Sequence, residues 1–552
     1  MDMRLLAERL FPHITQTPED IFKQYPKRQL PKGAMVTRIA PSPTGFMHLG
    51  NLFGAVTDER LAHQSGGIFY LRIEDTDQKR TVERGVEQIL EVFSHFGLSF
   101  DEGATVDGEK GAYGPYYQSQ RKEIYQVFLR DLVAKGKAYP CFASEEELAE
   151  LRQRQEAEGA NPGYYGKYAI WRDASDEAIE QALAENRPYV IRLRSEGDSE
   201  RKIKHIDLIK GEMELTENDI DLVIMKSDGL PPYHFAHVID DTLMGTTHVV
   251  RGEEWLPTLP QHLQLFETLG WKPPYYLHTA HVLKMEGNSK RKLSKRKDPE
   301  LALEFYHKAG FPVEALLEYI MTILNSNYED WRRQNPTAPY QDFPFSYKKM
   351  NRSGALFDME KLKDISKNTL SRMTAEEVLD GLLPYYAEFD PDFASLLEKD
   401  KAYALKILQI GRGGAKPRKD LTTFADAKPY MAFFYDELFA PEQYPFPENV
   451  SSEDLEAILS AYPGIYDEND DTTAWFDKIR SLAEELGYAG ETKAYKKNPD
   501  AFKGHVGDIS MVLRVAITGK TNAPDLFAVM QILGKDRVIA RINRAKTTLT
   551  GK

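Results

Sequence analysis

Residues 34–73 constrain the fold of this chain more than any other stretch. Ala34–Ala40 (AMVTRIA) is a short β-branched run, and the PSPTG that follows cannot continue a strand. From Asn51 to Gln64 the residues Leu52, Val56 and Leu61 fall roughly on one side of a helix, and Gly66-Gly67 stops it. Ile68–Ile73 (IFYLRI) reads as a second buried strand. Strand, glycine-bearing turn, helix and strand form a βαβ unit, whose two strands run parallel. The expected fold class is therefore α/β, with a Rossmann-type parallel sheet at the N-terminal end.

The pattern continues with a predicted helix over Val82–Phe96, where Val82, Val86, Ile89, Leu90, Phe93 and Phe96 share a face. From Tyr116 to Glu217 the character changes. A charged helix (Ser144–Gln155), a Gly/Tyr-rich loop (Asn161–Tyr168) and the strand-like Tyr189–Arg194 read as an α+β insertion. Strand signals of the first kind return at Leu222–Met225, Tyr233–Ile239 and His248–Arg251, followed by a helix over Leu259–Leu269. From Asp298 onward the pattern is almost wholly helical, with breaks near Pro336–Pro344 and Pro441–Pro447. Ahead of the first strand, Leu5, Leu6, Leu10 and Phe11 predict a short helix packing on the body.

With 552 residues and a single cysteine, Cys141, the chain has room for several domains but none for a disulfide framework, a thiolate zinc site or an iron–sulfur cluster. No run approaches the ~20 apolar residues of a membrane span, and no leader is recognisable, so a soluble, cytoplasmic protein is expected. The formal net charge is −14, yet seven of the fourteen residues from Lys284 to Lys297 are basic, as are six between Lys535 and Lys552. Gly411–Asp420 (GRGGAKPRKD) is a third basic cluster. These clusters on an otherwise acidic chain fit local contacts to a polyanion.

Two motifs carry chemistry. Pro41–Asn51 (PSPTGFMHLGN) occupies the turn between the first strand and the first helix, where backbone N–H groups and the positive helix end suit a phosphate. Gly50 lets a ligand approach the backbone, and His48 can donate to a phosphate oxygen. Standing alone, this segment would read as a capped surface turn. It is joined by Lys292–Arg296 (KLSKR), a mobile-looking basic loop that could place positive charge where charge grows on a phosphate. No Ser/His/Asp arrangement, Walker loop or metal-ligand spacing is present. The pair suits an adenylate-forming enzyme, in which the substrate carboxylate itself attacks the α-phosphate.

The sequence His48-Leu-Gly-Asn51 with KLSKR resembles the HIGH and KMSKS signatures of class I aminoacyl-tRNA synthetases. The wording around them, RIAPSPTG, RIEDTD (Arg72–Asp77), YHFAHVIDD (Tyr233–Asp241) and HVVRGEEW (His248–Trp255), is similar to that of bacterial glutamyl-tRNA synthetases. The resemblance runs from Met35 to Leu362 and resumes at Leu513–Val538. It implies ATP-dependent ligation of L-glutamate to tRNA(Glu) through glutamyl-adenylate, with release of AMP and diphosphate. It implies His48, Lys292 and Lys295 as catalytic residues. The glutamate would be bound by Arg38, Ser42, Glu74, Tyr233, His237 and Arg251. ATP would be bound by Thr44, Gly45, His48, Gly50, Asn51, Glu254, Leu283 and Lys295, with Mg²⁺ on the triphosphate. Arg418 in KPRKD matches, loosely, an arginine that contacts the anticodon.

The same resemblance divides the chain into an N-terminal extension (1–34), the first half of the catalytic Rossmann domain (35–115) and an inserted tRNA acceptor-binding domain (116–225). The second catalytic half (226–290), a stem-contact domain with the KLSKR loop (291–365) and helical anticodon-binding domains (366–552) follow. Relatives are usually monomers, and no membrane partner is expected. Three departures matter. Asn51 stands where the signature has its second His; His237 is closer to glutaminyl enzymes; and Cys141 alone leaves no structural zinc. The alternatives are an enzyme that also charges tRNA(Gln) with glutamate and a glutaminyl-tRNA synthetase. Against the latter stand APSPTG in place of PPEPNG, and Arg251.

Overall fold

The computed structural model describes residues 2–45, 47–77, 79–80, 82–294, 296–414 and 416–550. The chain divides into two compact units, Met1–Phe305 with Leu317–Asp358, and Tyr306–Leu316 with Met359–Lys552.

The first unit opens with helices α1 (Met3–Leu10) and α2 (Pro18–Gln24), followed by β1 (Val36–Ile39), α3 (Leu49–Gln64) and β2 (Ile68–Leu71). β1 and β2 are parallel, with Val36 opposite Ile68 and Ile39 opposite Leu71. The return into β2 needs Gly67, where a Cβ would lie 1.9 Å from the Met35 carbonyl oxygen. α4 (Gly85–His95) leads to β3 (Glu102–Thr105), parallel to β2, and β4 (Gly108–Lys110) closes that edge antiparallel.

After α5 (Lys122–Ala134) comes a different layer: β5 (Ala138–Cys141), α6 (Glu145–Ala157), α7 (Asp176–Ala184), β6 (Val190–Leu193), the hairpin β7 (Lys202–Asp207) and β8 (Gly211–Thr216), and β9 (Val223–Met225). β5, β6 and β9 form an antiparallel sheet. The parallel layer resumes with α8 (Tyr233–Leu243), β10 (His248–Gly252), α9 (Leu259–Leu269) and β11 (Tyr275–Thr279). β10 lies beside β1, where the Thr247 N–H donates to the Val36 carbonyl at 3.0 Å. The antiparallel hairpin β12 (Val282–Glu286) and β13 (Ser289–Lys292) follows, with β14 (Ala355–Leu356) parallel to β12.

Several sequence expectations change. Tyr233–Ile239 is helical, not a strand. Pro232 caps α8 in an extended conformation, and Phe235 to Asp241 are all buried, so the helix has no polar face to reveal its period. Leu222–Met225 belongs to the antiparallel sheet, pairing with β6 rather than with the parallel strands. Val82 is 45% exposed because α4 starts only at Gly85, after Arg84 in the left-handed region at φ 56°. In α1, Leu6, Leu10 and the adjoining Phe11 are buried against α5, but Leu5 is turned outward.

The centre of the first unit is ionic. Asp240 accepts from Gln118 Nε2 at 2.9 Å, Arg121 Nε at 2.7 Å and Tyr125 Oη at 2.8 Å. Asp241 accepts from Arg72 Nη1 at 2.6 Å and from Arg38 Nε at 3.3 Å. Burial alone would raise the Asp241 pKa, but Arg38, Arg72 and His237 hold it well below the usual carboxylate range.

The second unit is helical, with its longest helices at Met359–Arg372, Ala375–Phe389, Ser452–Ile465, Thr472–Glu485, Val506–Thr518 and Lys535–Thr550. Leu382, Ile407, Ile458, Val512, Val529 and Ile542 belong to one core. Among the described residues no helix is long and apolar enough to cross a membrane.

Asp240→Ala would leave Arg121 buried without its counter-charge, which typically costs about 3–5 kcal/mol. Urea unfolding of the first unit, followed by its tryptophans, should show that loss; a midpoint within error of wild type would contradict it.

Candidate active site

The PSPTG turn is held from both sides. The Glu74 N–H donates to the Pro41 carbonyl at 3.0 Å, and the Val82 N–H to that of Pro43 at 2.9 Å. This leaves Ser42 and Gly45 exposed and Thr44 half-buried on the loop leading to α3. His48 is the N-cap of α3, and its backbone N–H donates to Asn51 Oδ1 at 2.9 Å. Its ring lies over Gly50, where an added Cβ would stand 3.0 Å from Nδ1 and Cε1.

The second motif is brought to the first. A backbone bridge joins His48 to Ala302, shortly after KLSKR, and the Leu303 N–H donates to the Met47 carbonyl at 3.4 Å. Lys292 ends β13 opposite Leu283 and is exposed, with Nζ 3.5 Å from His281 Nε2. Lys295 lies outside the described residues. The residues around it are tied down rather than loose: Leu293 is buried, and Asp298 accepts from the Ser294 N–H at 2.8 Å. Asp298 also takes both Nη groups of Arg291, at 2.6 and 2.9 Å, which holds its carboxyl well below the usual range. Lys284 pairs with Glu300. Glu254, half exposed, has Oε2 3.5 Å from His281 Nδ1.

Arg38, Glu74, Tyr233, His237 and Arg251 converge on the core described above. Glu74 accepts from Arg72 Nη2 at 3.2 Å; its pKa is raised because burial outweighs the attraction of Arg72 and Arg38. His237 places Nδ1 2.8 Å from Asp241 Oδ2 and Nε2 3.0 Å from Tyr276 Oη. The Tyr233 ring stacks on His237 at 5.5 Å and packs against Trp255 at 4.5 Å. Arg251 donates through Nη1 to His262 Nδ1 at 3.0 Å and more weakly to Tyr233 Oη at 3.4 Å. Its Nη2 is buried and has no partner among the described residues. Ser42 stands on the exposed loop, apart from this cluster's hydrogen bonds among the described residues.

The basic clusters are less available than their sequence suggests. In Lys535–Thr550, Arg537, Arg541 and Arg544 donate to carbonyls of Leu533, Phe433 and Phe439. Arg412 likewise donates to the Leu408 and Met373 carbonyls. Arg418, in the second unit, forms a two-pronged pair with Asp420, both bonds at 2.8 Å, beside a groove of about 290 Å³ shared with Tyr430, Phe433 and Lys520.

Residues 34–363 match the family model of tRNA synthetases class I (E and Q), catalytic domain, and residues 377–546 that of an anticodon binding domain. The chain therefore belongs to the class I tRNA synthetases, in the branch for glutamate and glutamine. It is 53% identical over 547 residues to a glutamate–tRNA ligase of Acetivibrio thermocellus, covering 99% of this chain and 100% of that one. It is 48% identical over 546 residues to one from Clostridium perfringens strain 13, covering 98% and 100%. A crystal structure of a glutamate tRNA ligase from Elizabethkingia meningosepticum in complex with its amino acid matches with a TM-score of 0.75 and 30% identity, over 93% of this chain and 99% of that one.

Sequence reasoning missed His262 and His278, which bond Arg251, and the residues one step behind them, His234 and Asp207. One signal was present, since six of the thirteen histidines fall between residues 234 and 281. Burial pushes His234 down to about 4, with Arg251 adding to it. Burial does the same to His237, also to about 4, against the opposite pull of Asp241. The unfolded chain binds these protons more readily, so the contribution of both residues is intact above about pH 6.5 and is lost as pH falls toward 4. The thermal midpoint should decline across that window, and His234→Gln should flatten the decline. An identical slope in the variant would refute the assignment.

Proposed function

We propose that the chain joins L-glutamate to tRNA(Glu). In the first step the glutamate α-carboxylate attacks the α-phosphate of ATP, and diphosphate leaves. In the second, a terminal ribose hydroxyl of the tRNA attacks the mixed anhydride and AMP leaves. The observation that carries the choice of glutamate is Arg251, a buried cation whose Nη2 has no partner among the described residues. A buried guanidinium in this state favours a carboxylate over an amide, which brings no charge and turns N–H groups toward it.

Around it, Glu74 would take the substrate ammonium group, relieving the burial that raises its pKa. Arg38, Ser42, Tyr233 and His237 would complete the amino-acid site. His48, Lys292 and Lys295 would stabilise charge growing on the α-phosphate. Thr44, Gly45, Gly50, Asn51, Glu254 and Leu283 would line the ATP site, where the exposed turn and the start of α3 offer backbone N–H groups. Mg²⁺ would travel with the triphosphate. The insertion would hold the acceptor strand, and the helical second unit would read the anticodon, with Arg418 as one contact. The enzyme would act as a cytoplasmic monomer without structural zinc, and elemental analysis of the purified protein should find no zinc at stoichiometry.

Charging of purified tRNA(Glu) and tRNA(Gln), each with both amino acids, tests the reading. Glutamate on tRNA(Glu) is expected; efficient use of glutamine would overturn it, and glutamate on both tRNAs would show relaxed tRNA choice. Arg251→Ala should raise the glutamate KM steeply. Lys295→Ala should slow ATP–diphosphate exchange, measured with tRNA present, by ~10²–10³; a rate near wild type would remove Lys295 from the mechanism.

A further inference from the structure

Arg38, Arg72 and Arg251 fall into two electrostatic kinds. Arg38 and Arg72 each touch a carboxylate directly, Asp241 for both and Glu74 as well for Arg72. Arg251 does not: among the described residues its hydrogen-bond partners are imidazoles and a phenol. Its Nε donates to His278 Nε2 at 3.0 Å. A guanidinium cannot accept, so His278 Nε2 carries the lone pair and Nδ1 carries the proton. That Nδ1–H donates to Asp207 Oδ2 at 2.7 Å.

Asp207 is itself immobilised. Its Oδ2 also accepts the backbone N–H of His278 at 3.0 Å, and its Oδ1 accepts those of Ile209 at 2.9 Å and Lys210 at 2.7 Å. Asp207 and His278 are essentially inaccessible to solvent, at 1% and 0% exposure. On the other edge, Nη1 of Arg251 donates to His262 Nδ1, which makes His262 Nε2 the N–H that donates to His234 Nδ1 at 2.8 Å. Below the plane the guanidinium carbon lies 4.7 Å from the Tyr276 ring centroid.

We propose that Asp207 and His278 are positioning residues for side-chain specificity: they brace Arg251 through Nε while a neutral imidazole keeps the balancing carboxylate one ring away, leaving the cation's charge and Nη2 for the substrate's side-chain carboxylate. This deepens the assignment of Arg251 above and rests on it. A carboxylate bonded directly to Arg251 would hold it equally well but would compete with the substrate. A neutral hydrogen-bonding ring orients the guanidinium without cancelling its charge. The negative charge of Asp207 fixes the tautomer, so the brace and its neutrality come from the same pair.

The test compares Asp207→Asn, His278→Phe and His278→Gln with wild type and Arg251→Ala in tRNA aminoacylation, with KM for glutamate, ATP and tRNA measured separately. In Asp207→Asn the amide must set N–H groups either against the His278 N–H groups or against those of Ile209 and Lys210. His278→Phe removes the acceptor; His278→Gln can return an amide oxygen near the Nε2 position. The first two are expected to raise the glutamate KM about ten- to a hundredfold, with kcat and the ATP and tRNA KM values near wild type. They should also narrow the preference for glutamate over glutamine. His278→Gln should recover much of both. The proposal is overturned if glutamate KM stays at the wild-type value while Arg251→Ala raises it, or if glutamate, ATP and kcat all deteriorate together. Equal loss in the Phe and Gln variants also counts against it. If Arg251→Ala leaves glutamate KM unchanged, the assignment of Arg251 fails and the brace falls with it.

Discussion

Asp240 and Asp241 sit side by side on α8, and the arginines they neutralise come from three other places in the chain. Successive helical residues diverge by about 100°, so one carboxylate reaches Arg121 at the start of α5 while the other reaches Arg38 on β1 and Arg72 after β2. Arg121 precedes the inserted layer and α8 follows it. The ion cluster therefore joins the two halves of a parallel sheet that the sequence interrupts for about a hundred residues. Few backbone hydrogen bonds bridge β1 and β10, so the side chains carry much of that junction. Such a cluster is a weak source of net stability but a strong determinant of arrangement, because any partner left alone is a buried charge.

The same cluster sets the electrostatics of the site. Arg72 extends the network to Glu74 at 3.2 Å, and Asp241 extends it to His237 at 2.8 Å. Charges on the β1–β2 side are thus balanced before any ligand arrives. On the β10–β11 side Arg251 has no carboxylate in direct contact among the described residues, and burial lowers the pKa of His234, His262 and His278 around it. Two arginines thus stand against a carboxylate, and one, Arg251, has none in direct contact among the described residues.

Much of this was legible in local sequence. The βαβ unit, the β10 strand and α9 at Leu259–Leu269 followed from patterning, because each has apolar residues on one side and a clear stop. α8 was not legible: it is enclosed nearly all round, and its two aspartates look polar while being buried by distant arginines. Signature residues such as His48 were readable because neighbouring residues build the turn. The Asp207–His278 bond spans 71 positions, and nothing near Asp207 announces it. In the basic clusters the sequence does not show that several arginines also donate to main-chain carbonyls inside the helical unit.

The departure at Asn51 shows how a motif position can change residue without loosening the turn. As the third residue of α3, Asn51 returns its amide oxygen to the backbone N–H of His48. That bond fixes the N-cap and leaves the imidazole to fold over Gly50, where only hydrogen fits without pressing on the ring. A small amide with its acceptor on a short stem suits this reach. Asn51 thereby secures the backbone that presents the His48 ring. The bridge from His48 to Ala302 then joins that same backbone to the chain shortly after the KLSKR loop.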